Sequence, residues 1–138
     1  GLSGGACPSG RRIVTEITGL HHASVLVSDL SRALRFYVDL LGLQVDPSRP
    51  SSMPFAGAWL TVGDQQIHLL QLPNPDPCAD RPEHAGRDRH TAFCVHGLNA
   101  VVSRLEQAGV AMTHSRSGRK AVFCRDPDGN GVELVETG

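Results

Sequence analysis

The sequence lacks a long apolar run: none of its hydrophobic stretches approaches the roughly 20 residues that a helix needs to cross a bilayer. It also lacks an excess of one charge, because 13 Lys and Arg residues stand against 14 Asp and Glu residues. Without a long apolar run, the sequence predicts no transmembrane segment. Without an excess of positive charge, it predicts no nucleic-acid partner. Residues 1–12 carry no apolar core before their charges, so we expect no secretory signal there.

Cysteine is scarce as well, with four residues and no C-x-x-C pair. A zinc knuckle or a disulfide framework needs closer spacing or a smaller domain. We therefore interpret Cys7, Cys78, Cys94 and Cys124 as reduced thiols, which is typical of a cytoplasmic protein.

A repeated order of elements is present instead. A strand pattern at 20–27 precedes a helical apolar spacing over 29–42, and three further strand patterns follow, the last two around a Gly63-Asp64 turn. The same β-α-β-β-β order recurs after residue 90. The sequence therefore predicts an α+β fold of two tandem βαβββ modules. The predicted units are a flexible arm over 1–16, a first module over 17–72, a Pro-rich linker over 73–89 and a second module over 90–138.

Polar residues occupy equivalent places in the two modules. His22 and His90 each open a first strand, and the alternation of side chains along a strand places both away from the helices. His68 and Glu133 each lie within a last strand. If the modules pack side by side, these four side chains converge on one cavity, where unpartnered imidazoles and a carboxylate would cost free energy. A divalent Zn, Ni, Co, Mn or Fe ion would offset that cost, so we expect a metal site.

Each ligand candidate also has an ordinary structural explanation. His22 and His90 are also compatible with hydrogen bonds to nearby backbone, and Glu133 with a surface position. His68 is also compatible with a core histidine, or with one that lines the pocket without touching the metal.

Other residues have two explanations too. Trp59 either walls the pocket or packs in the core, and Arg119 either binds an anionic substrate or lies in a solvated hairpin loop. The remaining histidines are interpreted as solvated or loop residues, namely His21, His84, His96 and His114.

Four segments together resemble the vicinal oxygen chelate superfamily, which includes glyoxalase I, methylmalonyl-CoA epimerase, extradiol dioxygenases and the fosfomycin and bleomycin resistance proteins. They are HHASVLVSDLSRALRFYVDLLGL at 21–43, IHLLQ at 67–71, RHTAFCV at 89–95 and FCRDPDGNGVELVE at 123–136. The resemblance implies modules that form a cupped mixed sheet around a divalent metal, with ligands at His22, His68, His90 and Glu133. It also implies a homodimer, with the site formed either within one chain or across two.

The activity implied by this resemblance is a metal-dependent, glyoxalase-like one, of lyase, isomerase or thiol transferase type. A small oxygenated substrate would chelate the metal, and Glu133 would act as the base. Trp59 and Arg119 are the candidate substrate contacts on their sequence positions alone. Histidine at 68 departs from the Glu or Gln of some relatives, and the more positive site favours an anionic substrate. Two alternatives stay open: a non-catalytic binding protein of antibiotic-sequestering type, and an Fe(II) extradiol-type dioxygenase that uses only His22, His90 and Glu133.

Overall fold

The structure, a computed structural model, describes residues 16–138, and within this range eight strands form two four-stranded mixed sheets. The first sheet has the order β1-β4-β3-β2 and comprises β1 His22–Val27, β2 Gln44–Asp46, β3 Gly57–Val62 and β4 Gln65–Gln71. The second has the order β5-β8-β7-β6 and comprises β5 His90–Val95, β6 Thr113–His114, β7 Ala121–Arg125 and β8 Gly131–Glu136. In each sheet the first strand pairs parallel to the last, and the other pairings are antiparallel. This confirms the α+β fold of two βαβββ modules. The predicted arm over 1–16 lies, except for Glu16, outside the described residues.

One helix crosses each module. In the first, α1 spans Leu30–Leu34 and continues as a π-helical segment over Arg35–Leu40. The carboxylate of Asp29 caps α1 by accepting a hydrogen bond from the backbone N–H of Arg32 at 3.2 Å. The sequence predicts one regular helix here, but the chain widens to i→i+5 hydrogen bonds, such as that from Leu41 N–H to Phe36 O at 3.0 Å. In the second module, α2 spans Leu98–Gln107.

Both helices pack into one hydrophobic core that the two modules share. The strand faces turned toward the helices contribute Val27 at 1 % exposure and Phe93 at 7 %. The opposite face of β5 carries Ala92 and Cys94, and both are exposed. The faces that carry the predicted ligands therefore point away from the core, as strand alternation predicts.

Hydrogen bonds from the turn between β7 and β8 fasten the second module to the first. Tyr37 donates its hydroxyl to Asp126 Oδ2 at 2.7 Å, and both side chains are buried. Asn130 Nδ2 donates to Leu26 O at 3.1 Å, and Asp128 Oδ1 accepts from the backbone N–H of Ser28 at 3.0 Å. The second module thus holds the C-terminal half of β1. No helix within residues 16–138 has the length and hydropathy of a transmembrane segment.

Candidate metal centre

Strand register places the four predicted ligands at equivalent positions in the two modules. His68 on β4 pairs with Ser24, two residues after His22, and Glu133 on β8 pairs with Ala92, two residues after His90. Residues two apart on a strand share a face. Each module therefore brings two of the predicted ligands to the same face of its sheet, as the internal repeat predicts.

In the second module, His90 and Glu133 face each other at hydrogen-bond distance. The ring atom Nδ1 of His90 lies 2.8 Å from the carbonyl oxygen of Asp88, which only accepts, so Nδ1 carries the hydrogen. The other ring nitrogen, Nε2, lies 3.1 Å from Glu133 Oε1. The Glu133 side chain is only 8 % exposed. Two electron-pair donors at this distance repel each other unless a proton or a cation joins them.

The same geometry fits a metal ion. Two ligand atoms about 2.1 Å from one ion, at a right angle, lie about 3.0 Å apart. A carbonyl that fixes the tautomer of a histidine from behind is the usual support of a metal-binding imidazole. By their chemistry and spacing, His90 and Glu133 can thus supply two adjacent ligands.

In the first module, three rings form a stack. His68 lies between Trp59, with ring centroids 4.7 Å apart, and His22, with ring centroids 3.9 Å apart. His68 Nε2 lies 2.8 Å from Gln66 Oε1. Partial burial lowers the pKa of His68, and the nearby charges of His22 and other basic groups lower it further. His68 is therefore neutral at neutral pH.

The two pairs do not meet within one chain. Among residues 16–138, no group of three or more His, Cys, Asp or Glu side chains is placed to hold a metal ion. His22 lies in the exposed half of β1. Its Nδ1 atom is 2.8 Å from Nδ1 of His21. Its other ring nitrogen, Nε2, makes no hydrogen bond to another residue in the described range. Convergence of all four side chains, which is expected if the modules pack side by side, does not occur in the single chain.

The two predicted substrate contacts lie beside these pairs. Arg119 Nη1 is 3.7 Å from Glu133 Oε2, and the side chain is 59 % exposed. Trp59 is half-buried, lies outside the shared core and faces His68 across the β3–β4 pairing. The guanidinium of Arg119 therefore lies next to His90 and Glu133, and the ring of Trp59 lies next to His22 and His68.

Two neighbours of the second pair are not among the predicted site residues. Phe123 pairs with Glu133 across β7 and β8, as Trp59 pairs with His68, and its ring meets His90 edge-on at 5.2 Å. The internal repeat of the sequence contains this correspondence. His84 lies in a loop, as interpreted above, but it is buried at 8 % exposure and not solvated, because it packs on Phe123 and its Nδ1 lies 2.6 Å from Thr113 Oγ1. Burial lowers the pKa of His84, and Arg116 adds to this effect.

Comparison with known proteins assigns the chain to a family. Residues 19–134 match the model of the Glyoxalase/Bleomycin resistance protein/Dioxygenase superfamily. The chain is 30 % identical to Glyoxylase I 4 of Arabidopsis thaliana over 124 residues, which cover 86 % of this chain and 71 % of that protein. It is 31 % identical to the glutathione transferase FosA of Serratia marcescens over 121 residues, covering 86 % of this chain and 80 % of that protein.

A solved structure with the same fold is that of a mutant of the fosfomycin resistance protein FosX from Listeria monocytogenes, complexed with Mn(II) and 1S,2S-dihydroxypropylphosphonic acid. It aligns with a TM-score of 0.69 at 19 % identity and covers 88 % of this chain and 94 % of that chain. Proteins similar to this chain are thus named for different activities, although they share one fold. The chain belongs to the Glyoxalase/Bleomycin resistance protein/Dioxygenase superfamily, that is, to the vicinal oxygen chelate proteins.

Proposed function

We propose that this protein is a divalent-metal-dependent enzyme of glyoxalase type whose metal site is completed by two copies of the chain. The observation that carries the proposal is the 3.1 Å approach of His90 Nε2 to Glu133 Oε1, with the Asp88 carbonyl behind the ring. A proton on Nε2 joins the two atoms in the metal-free chain, and in the proposal a cation that both atoms bind takes its place.

A second copy supplies the missing ligand because β1 and β5 are both edge strands. Within residues 16–138 no further strand pairs with the outer edge of either, and the N-terminal half of β1, before the Leu26–Asn130 hydrogen bond, can take another chain alongside. His22 lies in the exposed half of β1, next to Leu20, which is 79 % exposed. Placing β1 of one copy beside β5 of the other brings His22 to the His90–Glu133 pair, twice in a symmetric homodimer.

Two imidazoles and a carboxylate suit Zn, Ni, Co, Mn or Fe(II). The FosX mutant of the same fold was solved with Mn(II), which makes manganese the first ion to test. When bound, the ion supplies a positive charge that polarises two neighbouring oxygens of a substrate.

The chain's own residues complete the chemistry. Glu133 Oε2 does not contact His90 and is the group placed to take a proton from, or return it to, the carbon next to a substrate carbonyl. Arg119, beside that oxygen, favours a substrate with a negative charge. Trp59 and Phe123 wall the site from either module. These roles support a lyase, isomerase or thiol transferase that acts on a small oxygenated anion.

A second candidate is an Fe(II) dioxygenase of extradiol type. What supports it is the proposed ligand set itself, which is two histidines and one carboxylate: His22, His90 and Glu133. That ligand set with open positions is the one that non-haem Fe(II) oxygenases use.

The experiment tests each candidate metal with each candidate substrate. Stripped protein is loaded with each of the five metals, analysed for metal content, and assayed with methylglyoxal plus glutathione, with fosfomycin plus glutathione, and with catechol plus oxygen. We expect turnover in one of the first two assays and a fall in kcat of about 10²–10⁴-fold in Glu133→Gln.

The matched control is Glu106→Gln on the exposed surface of α2, which should leave kcat unchanged. Oxygen uptake with catechol and Fe(II) alone would establish the dioxygenase instead. Failure of every metal to bind would contradict both candidates.

A further inference from the structure

The imidazole of His68 is held between two other rings. Its plane makes an angle of 12° with the Trp59 ring and 14° with the His22 ring, so the three planes are nearly parallel. Trp59 lies directly across from His68 in the β3–β4 pairing, while His22 reaches it diagonally from β1. His68 is thus fixed on both of its faces.

This stacking prevents His22 and His68 from binding the same ion. An imidazole binds a metal through a lone pair in the plane of its ring, at about 2.0–2.1 Å. With ring centroids 3.9 Å apart and planes 14° apart, the lone pairs of His22 and His68 lie in two separate, nearly parallel planes. No ion lies in both planes at that distance, so only one of the two residues can be a ligand while the stack persists.

A chain of hydrogen bonds fixes the hydrogen on His68. Gln66 Nε2 lies 2.5 Å from Asp46 Oδ2, and Asp46 also accepts from the backbone N–H of Ser48 at 2.9 Å. A carboxylate only accepts, so the amide nitrogen of Gln66 faces Asp46 and its oxygen faces His68. His68 Nε2 is therefore the donor in its 2.8 Å hydrogen bond to Gln66 Oε1, and the lone pair of the ring is on Nδ1. The stack on His22, and not this hydrogen bond, keeps that lone pair from an ion that His22 binds.

We propose that His68 is a positioning residue and not a metal ligand: Asp46 and Gln66 hold it as the Nε2–H tautomer, and its ring face orients His22 toward the metal. The inference rests on the metal centre proposed above, in which His22 is the ligand. It reduces the protein ligands to His22, His90 and Glu133 and leaves open positions for two oxygens of a substrate.

The first test compares Mn²⁺ binding, measured by titration calorimetry and electron paramagnetic resonance. His68→Phe keeps a flat ring between Trp59 and His22 but has no nitrogen, so we expect the wild-type metal stoichiometry. His68→Ala removes the stack, and we expect about 10–100-fold weaker binding, as for other residues that orient a ligand. His22→Ala should lose the ion altogether.

Loss of the ion in folded His68→Phe, as in His22→Ala, would overturn the inference and leave the metal centre standing. Retention of the ion in His22→Ala would instead overturn the metal centre itself. The two failures are thus distinguishable.

The second test does not depend on a variant of His68. Long-range ¹H–¹⁵N spectra of the metal-free full chain report which ring nitrogen carries the hydrogen. We expect the Nε2–H tautomer for His68 in the wild type and a mixture of tautomers in Gln66→Leu. A Nδ1–H tautomer in the wild type, or an unchanged tautomer in Gln66→Leu, would overturn the inference.

Discussion

Nε2 of His90 and Oε1 of Glu133 face each other at 3.1 Å across β5 and β8, with the hydrogen of His90 committed to the Asp88 carbonyl on the far side of the ring. The relationship is diagonal, since Glu133 pairs with Ala92 in the sheet. This pair is the part of the proposed metal centre that one chain forms by itself. A cation bound between its two atoms is the basis of the predictions on stability and assembly below.

Metal should stabilise the folded protein measurably. An ion that binds only the folded state, at 100 times its Kd, adds about 2.7 kcal/mol to the free energy of unfolding, which is roughly a 10 °C rise in Tm for a chain of this size. Thermal scans with Mn²⁺ and with a chelator measure the difference. His22→Ala should abolish it, whereas His114→Ala on exposed β6 should not. A Tm that does not respond to any of the five metals would contradict the prediction.

Pairing of β5 with a second copy, which also covers the exposed face of this strand, should be necessary for the metal site. Ala92→Glu places a charge on that face, so we expect a monomer near 14.7 kDa with weak metal binding, while the wild type behaves as a dimer of about twice that mass. Light scattering after gel filtration measures the mass. Ala100→Glu, on the exposed side of α2, is the matched control and should remain dimeric. Equal masses for the two variants would exclude this face as the interface.

The hydrogen bond between the buried side chains of Tyr37 and Asp126 makes a contribution to the free energy of unfolding that depends on pH. Burial raises the pKa of Asp126, so the stability that this group contributes is full below its unfolded value of about 3.9 and is lost as the pH rises through the folded value. The Tyr37 hydroxyl opposes that loss by donating to the carboxylate at 2.7 Å.

Tyr37→Phe should therefore lower the free energy of unfolding by about 1–3 kcal/mol at pH 7, and by less at pH 4. Urea unfolding of the wild type and the variant at both pH values gives the two differences. Val102→Ala, a substitution in the same core without a titrating partner, should cost the same at each pH. A cost of Tyr37→Phe that does not increase with pH would refute the role of the hydroxyl.

Much of the site could be predicted because the chain repeats itself. His22 matches His90 because each opens the first strand of its module, and His68 matches Glu133 because each lies within the last strand, although the two offsets differ (90 − 22 = 68 and 133 − 68 = 65). Strand alternation places His22 and His90 away from the helices, and the register puts His68 and Glu133 on the same faces. The repeat holds a further match, Trp59 with Phe123, that the structure makes visible.

The remaining features depend on geometry that residue patterns do not specify. A period of three to four residues predicts a regular helix, yet the chain widens at Arg35–Leu40, where the consecutive residues Phe36 and Tyr37 are both buried. The burial of His84 depends on how the linker folds back onto Phe123. Nor does a sequence state which chain supplies His22 to the second pair, because both arrangements use the same residues.

The most direct test of the two-copy metal site is complementation between His22→Ala and Glu133→Ala chains that carry different tags. A heterodimer of the two has one site with both changes and one with neither. Metal analysis of the purified heterodimer should find one ion per dimer, and each homodimer should hold none. A heterodimer as empty as its parent homodimers would contradict a site shared between chains.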